Sequence, residues 1–224
     1  MTEWEQVVEA WQLAAWESYR DVTRLGRKTR LPERQSALLW AIFQRVRSSL
    51  DAANLITYAD LFSRLASKIA ASGKPPFDFA VVDESQDIRV AQLRFLAAFG
   101  PAAPNRLFFA GDLGQRIYQQ PFSWKALGVD IRGRSSTLRV NYRTSHQIRM
   151  RADRLLGPEV SDVDGNKEER CGTISLFNGP APTIQTLNSA DEETAAVSMW
   201  LAARGKEGVA PHEVGVFVRS PAQL

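Results

Sequence analysis

A single cysteine in 224 residues, Cys171, excludes an intramolecular disulfide and fits a reducing compartment, so a cytoplasmic protein is the expectation. Histidine is nearly as scarce. His146 and His212 are the only two, and they lack metal-ligand spacing, which argues against zinc. Ser85 sits between carboxylates with no histidine near it in sequence, and Cys171 has no local partner that would mark a nucleophile. Hydrolysis through a covalent intermediate is therefore not expected. Long apolar runs are absent too. The stretch from Trp4 to Trp16 is interrupted by Glu5, Glu9 and Gln12 and has no basic segment ahead of it, so it does not read as a secretion signal. Nothing approaches the roughly 20 apolar residues that span a membrane. Nor does one sign of charge dominate: 28 Lys and Arg against 25 Asp and Glu leave a net +3, too mild to establish nucleic-acid binding by composition. No internal repeat or low-complexity tract occurs. At 44% hydrophobic residues the chain has apolar material for one large or two small cores and is expected to be soluble.

Chemistry concentrates where short apolar strands are expected to end. Phe77 to Val82 reads as a strand, and Asp83-Glu84-Ser85-Gln86-Asp87 follows at once. In open α/β sheets ligands sit beyond the carboxyl ends of strands, where one carboxylate can hold Mg²⁺ and its neighbour can orient a water against a γ-phosphate. Acidic residues also stand at such positions simply to complement the dipole of a following helix. A second strand, Arg106 to Ala110, runs into Gly111-Asp112-Leu113-Gly114-Gln115 and then Arg116-Ile117-Tyr118. An amide such as that of Gln115 carries donors and an acceptor together, which suits a group that senses a phosphate oxygen beside a carboxylate shell. Further on, Asn141-Tyr142-Arg143-Thr144 places a flat ring next to a permanently charged guanidinium, a pair able to stack on a base and neutralise a transferring phosphoryl group.

These segments, in this order and spacing, closely resemble motifs II (Walker B), III and IV of the UvrD/Rep-type superfamily 1 DNA helicases, and Glu213 to Ser220 is similar to the first strand after motif IV. The resemblance implies ATP and Mg²⁺ as cofactors, with Asp83 on the metal, Glu84 orienting or deprotonating the attacking water, and Gln115 sensing the γ-phosphate. It implies that Gln86, Asp87 and Asp112 belong to the nucleotide site, that Tyr142 stacks on adenine and that Arg143 reaches the γ-phosphate. No G-x-x-x-x-G-K-[ST] sequence, whose backbone amides and lysine cradle phosphates, occurs in these residues, and motifs V and VI are absent. The resemblance thus implies an internal or truncated piece of an ATP-dependent DNA helicase, or else a relative without that loop that binds DNA or protein and hydrolyses nothing. The implied fold is α/β: partial RecA-like motor domains with a parallel sheet, preceded by a helical subdomain. Residues 1–75 would form the helical part, 76–135 the second half of the first RecA-like domain, and 136–224 the start of the second.

Periodicity agrees with a helical start. Trp4, Val7, Val8, Trp11 and Ala15 share one helical face, and Leu38, Leu39, Ile42, Phe43, Val46 and Leu50 another, both expected in the core. Thr57-Tyr58-Ala59-Asp60 reads as a capping box ahead of Leu61, Phe62, Leu65 and Ile69, and Gly73-Lys74-Pro75-Pro76 as its end. Val90, Leu93, Leu96 and Ala97 pattern a helix, Thr173–Phe177, Thr183–Leu187 and Val214–Arg219 strands, about Asp191 to Arg204 a helix, and 157–170 a surface loop. Single-stranded DNA and duplex junctions are the expected partners, with no membrane. Phe122 and Trp124 lie where the family places a base-stacking aromatic, although one of them is expected to be core. The basic run holding Arg20, Arg24, Arg27, Lys28, Arg30 and Arg34 is a candidate for phosphate contacts or merely a solvated helix end.

Overall fold

The computed structural model describes residues 3–25, 31–100, 105–116, 120–157, 159–169 and 172–220. The chain divides into two compact units, Met1–Gly179 and Pro180–Leu224.

The first unit opens with one π-helical segment, Trp4–Glu9, then α1 (Trp16–Asp21) and α2 (Glu33–Ala52). Their shared core is aromatic. Tyr19 is fully buried, stacks on Trp40 at 5.3 Å between centroids and meets Phe43 edge-on at 5.9 Å, with Val7 and Val8 beside them. Such ring pairs contribute about 0.5–1.5 kcal/mol beyond the area they bury. This cluster corrects the expected face of α2. Leu39, Trp40 and Phe43 pack inward, whereas Leu38 and Ile42 are 64% and 56% exposed and Val46 is exposed as well. Two apolar stripes lie side by side on this helix, and the long-range partner Tyr19 selects the one carrying Trp40 and Phe43.

Helix α3 (Tyr58–Ser72) begins with the expected capping box: the Thr57 hydroxyl accepts from Asp60 N at 3.2 Å, and the Asp60 carboxylate accepts from Thr57 N at 3.5 Å. Gly73, at φ 63°, ends it in the left-handed conformation that glycine adopts without Cβ strain. The Thr57 hydroxyl also donates to the buried carboxylate of Glu9, which burial pushes above the ordinary glutamate range against the opposing pull of that hydrogen bond. One side chain therefore caps α3 and satisfies a buried acid. Thr57→Ala is expected to cost about 1–2 kcal/mol, at or above the usual loss of a cap, as the denaturation midpoint falls at constant slope.

Strands β1 (Ala80–Val82) and β2 (Leu107–Phe109) pair in parallel, Ala80 with Leu107 through Val82 with Phe109, and α4 (Val90–Ala97) lies between them in sequence. The strand expected over Phe77–Val82 is thus shorter. Its ladder starts only where Ala80 N donates to Arg106 O at 2.8 Å, and Phe77 and Phe79 are exposed. Alternation turns Val82, Leu107 and Phe109 onto a core of Ala10, Ile88, Val90, Leu93, Phe122, Trp124 and Val129. Helix α3 joins this layer through Phe62, whose ring meets that of Phe95 on α4 at 5.5 Å.

Strand β3 (Val140–Asn141) pairs in parallel with β6 (Ile174–Ser175), and α5 (His146–Asp153) follows β3. The expected surface loop over 157–170 is instead an antiparallel hairpin, β4 (Glu159–Ser161) with β5 (Lys167–Glu169). Gly165, at φ 84°, and Asp162, whose carboxylate accepts from Asp164 N and Asn166 N, close its turn.

In the second unit α6 (Ala190–Lys206) is N-capped by Ser189, whose hydroxyl accepts from Glu192 N at 3.2 Å. Acidic Asp191, Glu192 and Glu193 at its start and Arg204 and Lys206 at its end complement the helix dipole. The strands expected at Thr183–Leu187 and Val214–Arg219 do not form among the described residues, because neither segment has a ladder partner. Among the described residues no helix is long and apolar enough to cross a membrane.

Candidate metal and nucleotide site

Because β1 and β2 are parallel, their carboxyl ends open on the same side. The chain continues the ladder beyond them, Ala110 N donating to Val82 O at 2.8 Å and Ser85 N to Ala110 O at 2.9 Å. The segments Asp83–Asp87 and Gly111–Gln115 are thereby brought side by side.

Gln86 joins the two loops. It is 6% exposed, and its Oε1 accepts from Asp112 N at 3.0 Å. A backbone N–H can only donate, so this contact sets the amide orientation and aims Nε2 at Glu84, whose Oε2 accepts at 2.6 Å. The approach is close enough to require glycine at 111: a Cβ there would lie 2.6 Å from both Gln86 Oε1 and Ser85 Oγ. Glu84 itself sits at φ 50°, ψ 41°, a left-handed conformation that costs a non-glycine residue about 1–3 kcal/mol and persists where surrounding contacts impose it. The 3₁₀ turn Ser85–Asp87 that follows Glu84, and the hydrogen bond from Gln86 within it, are those contacts.

The remaining acids are placed individually. Asp83 Oδ1 accepts from Glu84 N at 2.9 Å. Asp87 Oδ1 is buried and has no hydrogen-bond partner among the described residues. Asp112 caps the turn Leu113–Gln115, its Oδ1 accepting from Gly114 N at 2.8 Å and its Oδ2 from Gln115 Nε2 at 3.0 Å, so Gln115 is oriented by the carboxylate three residues before it. Among the described residues no three His, Cys, Asp or Glu side chains converge as a metal cage. Mg²⁺ does not need one: it binds one or two carboxylates and takes its other oxygens from phosphate and water. Asp83 and the unpartnered oxygen of Asp87 are hard donors of that kind, and the residues present fit the ion.

Tyr142 and Arg143 are exposed, and their backbone is turned by Asn141, whose Oδ1 accepts from Arg143 N at 2.8 Å and Thr144 N at 3.1 Å. Neither side chain hydrogen-bonds to the carboxylate cluster among the described residues. Phe122 and Trp124 are both core residues, 8% and 9% exposed, and Trp124 packs edge-on against Phe109 at 4.8 Å. As placed, neither offers a ring face to a base. Of the basic run, Arg27, Lys28 and Arg30 lie outside the described residues. Arg24 turns inward, donating to Glu3 at 3.0 Å with its guanidinium 4.9 Å from the Tyr19 ring, and Arg20 pairs with Asp21 at 2.8 Å. Arg34 is exposed.

Sequence reasoning missed two acids. Glu168 on β5 accepts from Leu113 N at 3.3 Å, and Asp164 in the hairpin turn accepts from Trp124 N at 2.7 Å and Lys125 N at 3.0 Å. Gly165 between two short polar runs is the signal that would have marked a hairpin there.

A family model described as UvrD/REP helicase N-terminal domain matches residues 5–122, more than half of the chain and a span holding both carboxylate-bearing loops. Comparison with curated proteins gives no match.

Proposed function

The chain belongs to the UvrD/REP helicase family, and from that premise we propose that it provides the metal and water side of a motor that couples ATP hydrolysis to movement along single-stranded DNA and to duplex unwinding. The observation that carries this reading is the Gln86 bridge, which holds an acid in a strained conformation at the carboxyl end of one parallel strand and ties it to the loop at the end of the next. Two adjacent parallel strands with their acids at one edge are what a RecA-like, Walker B arrangement calls for. The mixed helical and parallel-sheet architecture supports a layout of a helical part over 1–75, a first motor domain over 76–135 and a second from 136.

In this reading Asp83 and Asp87 would hold Mg²⁺, which would supply positive charge against the phosphates. Glu84, aimed by Gln86, accepts the proton of the attacking water. Gln115, oriented by Asp112, contacts the γ-phosphate and reports its presence. Tyr142 stacks on the base and Arg143 offers a planar fork to the transferring phosphoryl group. DNA contacts fall to exposed arginines of the Arg20–Arg34 region. A stacking role for Phe122 or Trp124 requires one ring to leave the core.

Hydrolysis further requires a phosphate cradle, and no G-x-x-x-x-G-K-[ST] occurs in these 224 residues. The complete motor is therefore these residues together with such a loop. Steady-state phosphate release with and without single-stranded DNA tests the reading: the complete motor should show DNA-stimulated turnover and the 224 residues alone negligible turnover, since an unpositioned triphosphate loses most of the rate enhancement. Turnover by these residues alone at the rate of the complete motor would overturn it.

A further inference from the structure

The hairpin β4–β5 touches the candidate site from a part of the chain well beyond the family match. Three of its acids, Asp164, Glu168 and Glu169, make contacts outside it. Glu168 Oε2 accepts from Leu113 N at 3.3 Å, inside the turn that carries Gln115. Asp164 accepts from Trp124 N, Lys125 N and the Ser123 hydroxyl, which anchors the chain a few residues after that turn. Burial alone would raise the Asp164 carboxyl, and these donors outweigh it and hold it below the ordinary aspartate value. Glu169, the next residue along β5, points the other way, as neighbouring residues on a strand must, and lies 3.7 Å from Arg139, two residues before Asn141.

From this geometry we infer that Glu168 is a positioning residue for Gln115, and that the hairpin straps the phosphate-sensing turn to the segment bearing Tyr142 and Arg143. Gln86 Oε1 accepts from Asp112 N and so ties the start of the turn to the loop after β1. Asp112 fastens Gly114 and Gln115 to itself, within the turn, whereas Glu168 is the contact that fixes Leu113 N to a separate element. A carboxylate is suited to this: its two oxygens accept several donors, and a charged acceptor binds an amide about twice as strongly as a neutral one. Sequence position explains the device. The residues that sense phosphate and the residues expected to neutralise it are separated by a stretch whose one described element is the 3₁₀ turn Lys125–Leu127, and a hairpin in contact with both sides ties them together. The inference rests on the proposed role of Gln115.

Glu168→Leu and Glu168→Gln separate positioning from mere structure, because the amide retains an oxygen to accept from Leu113 N while leucine retains none. In this chain, amide hydrogen exchange of Leu113 to Gln115 should quicken about tenfold in the leucine variant and stay near wild type in the glutamine variant, with α2 unchanged as the control for folding. In the complete motor the leucine variant should lose about 10- to 100-fold in kcat while KM for ATP moves less than about twofold, as a displaced transition-state contact does, and glutamine should restore it. Unchanged exchange at Leu113 in the leucine variant would overturn the strap. Faster exchange with kcat unchanged would overturn the positioning role. If the wild-type motor itself turned over no ATP, the proposed function would fall and the positioning role with it, whatever the exchange result.

Discussion

A complete motor carrying Glu84→Gln is expected to bind ATP like the wild type while hydrolysing it about 10²–10⁴ times more slowly, the range that loss of a general base spans. The substitution is unusually clean here. Gln86 Nε2 donates to Glu84 Oε2 at 2.6 Å, and a side-chain amide at position 84 still offers an oxygen to that donor, so the strained left-handed backbone and the bridge to Asp112 keep their support. What disappears is the group that accepts a proton from water. Nucleotide affinity and single-turnover hydrolysis measured together check this outcome, and hydrolysis at the wild-type rate would remove Glu84 from the chemistry.

The second large effect is expected at Arg143. An arginine that stabilises a transferring phosphoryl group contributes about 10³–10⁵ in rate, and a lysine ammonium, a point charge, cannot reproduce the planar fork that meets two phosphate oxygens at once. Arg143→Lys should therefore lose most of that factor in kcat while leaving folding intact, because the side chain is exposed and its segment is turned by Asn141 through backbone N–H groups that lysine keeps. Matched thermal unfolding and turnover assays on the variant decide the matter; normal turnover would make Arg143 a surface residue.

The parts of this structure that could be read from the sequence are those set by neighbours within a few residues. Thr57 and Asp60 cap α3 because their side chains need only reach across one turn, and α4 follows its apolar spacing. The acids after β1 and β2 were legible because strand ends and polar clusters meet there in the sequence itself. Features set from a distance were not legible. Tyr19 decides which stripe of α2 is buried, and nothing in residues 33–52 reveals that choice. The left-handed conformation of Glu84 is held through Gln86, and the close approach of Gln86 to the second loop depends on a glycine that lies beyond β2. The hairpin over 159–169 escaped because its strands are charged: Glu159, Lys167 and Glu169 leave no apolar alternation to detect, and its stability comes from Asp162 and Asp164 contacts instead. Thr183–Leu187 and Val214–Arg219 show the reverse error, since β-prone composition without a partner strand forms no ladder among the described residues.

The central claim, that the acids after β1 and the loop after β2 together handle metal-bound ATP, is tested most directly by replacing Mg²⁺ with Mn²⁺, which the same oxygen ligands accept, in the ATP-bound complete motor and mapping paramagnetic broadening of its amide resonances. The account predicts that the amides of Asp83, Glu84, Asp87 and Gly111 broaden, that those of α2 do not, and that Asp83→Asn weakens the broadening. Sharp resonances throughout 83–87 with Mn²⁺ and ATP bound, or broadening centred on another part of the fold, would contradict it.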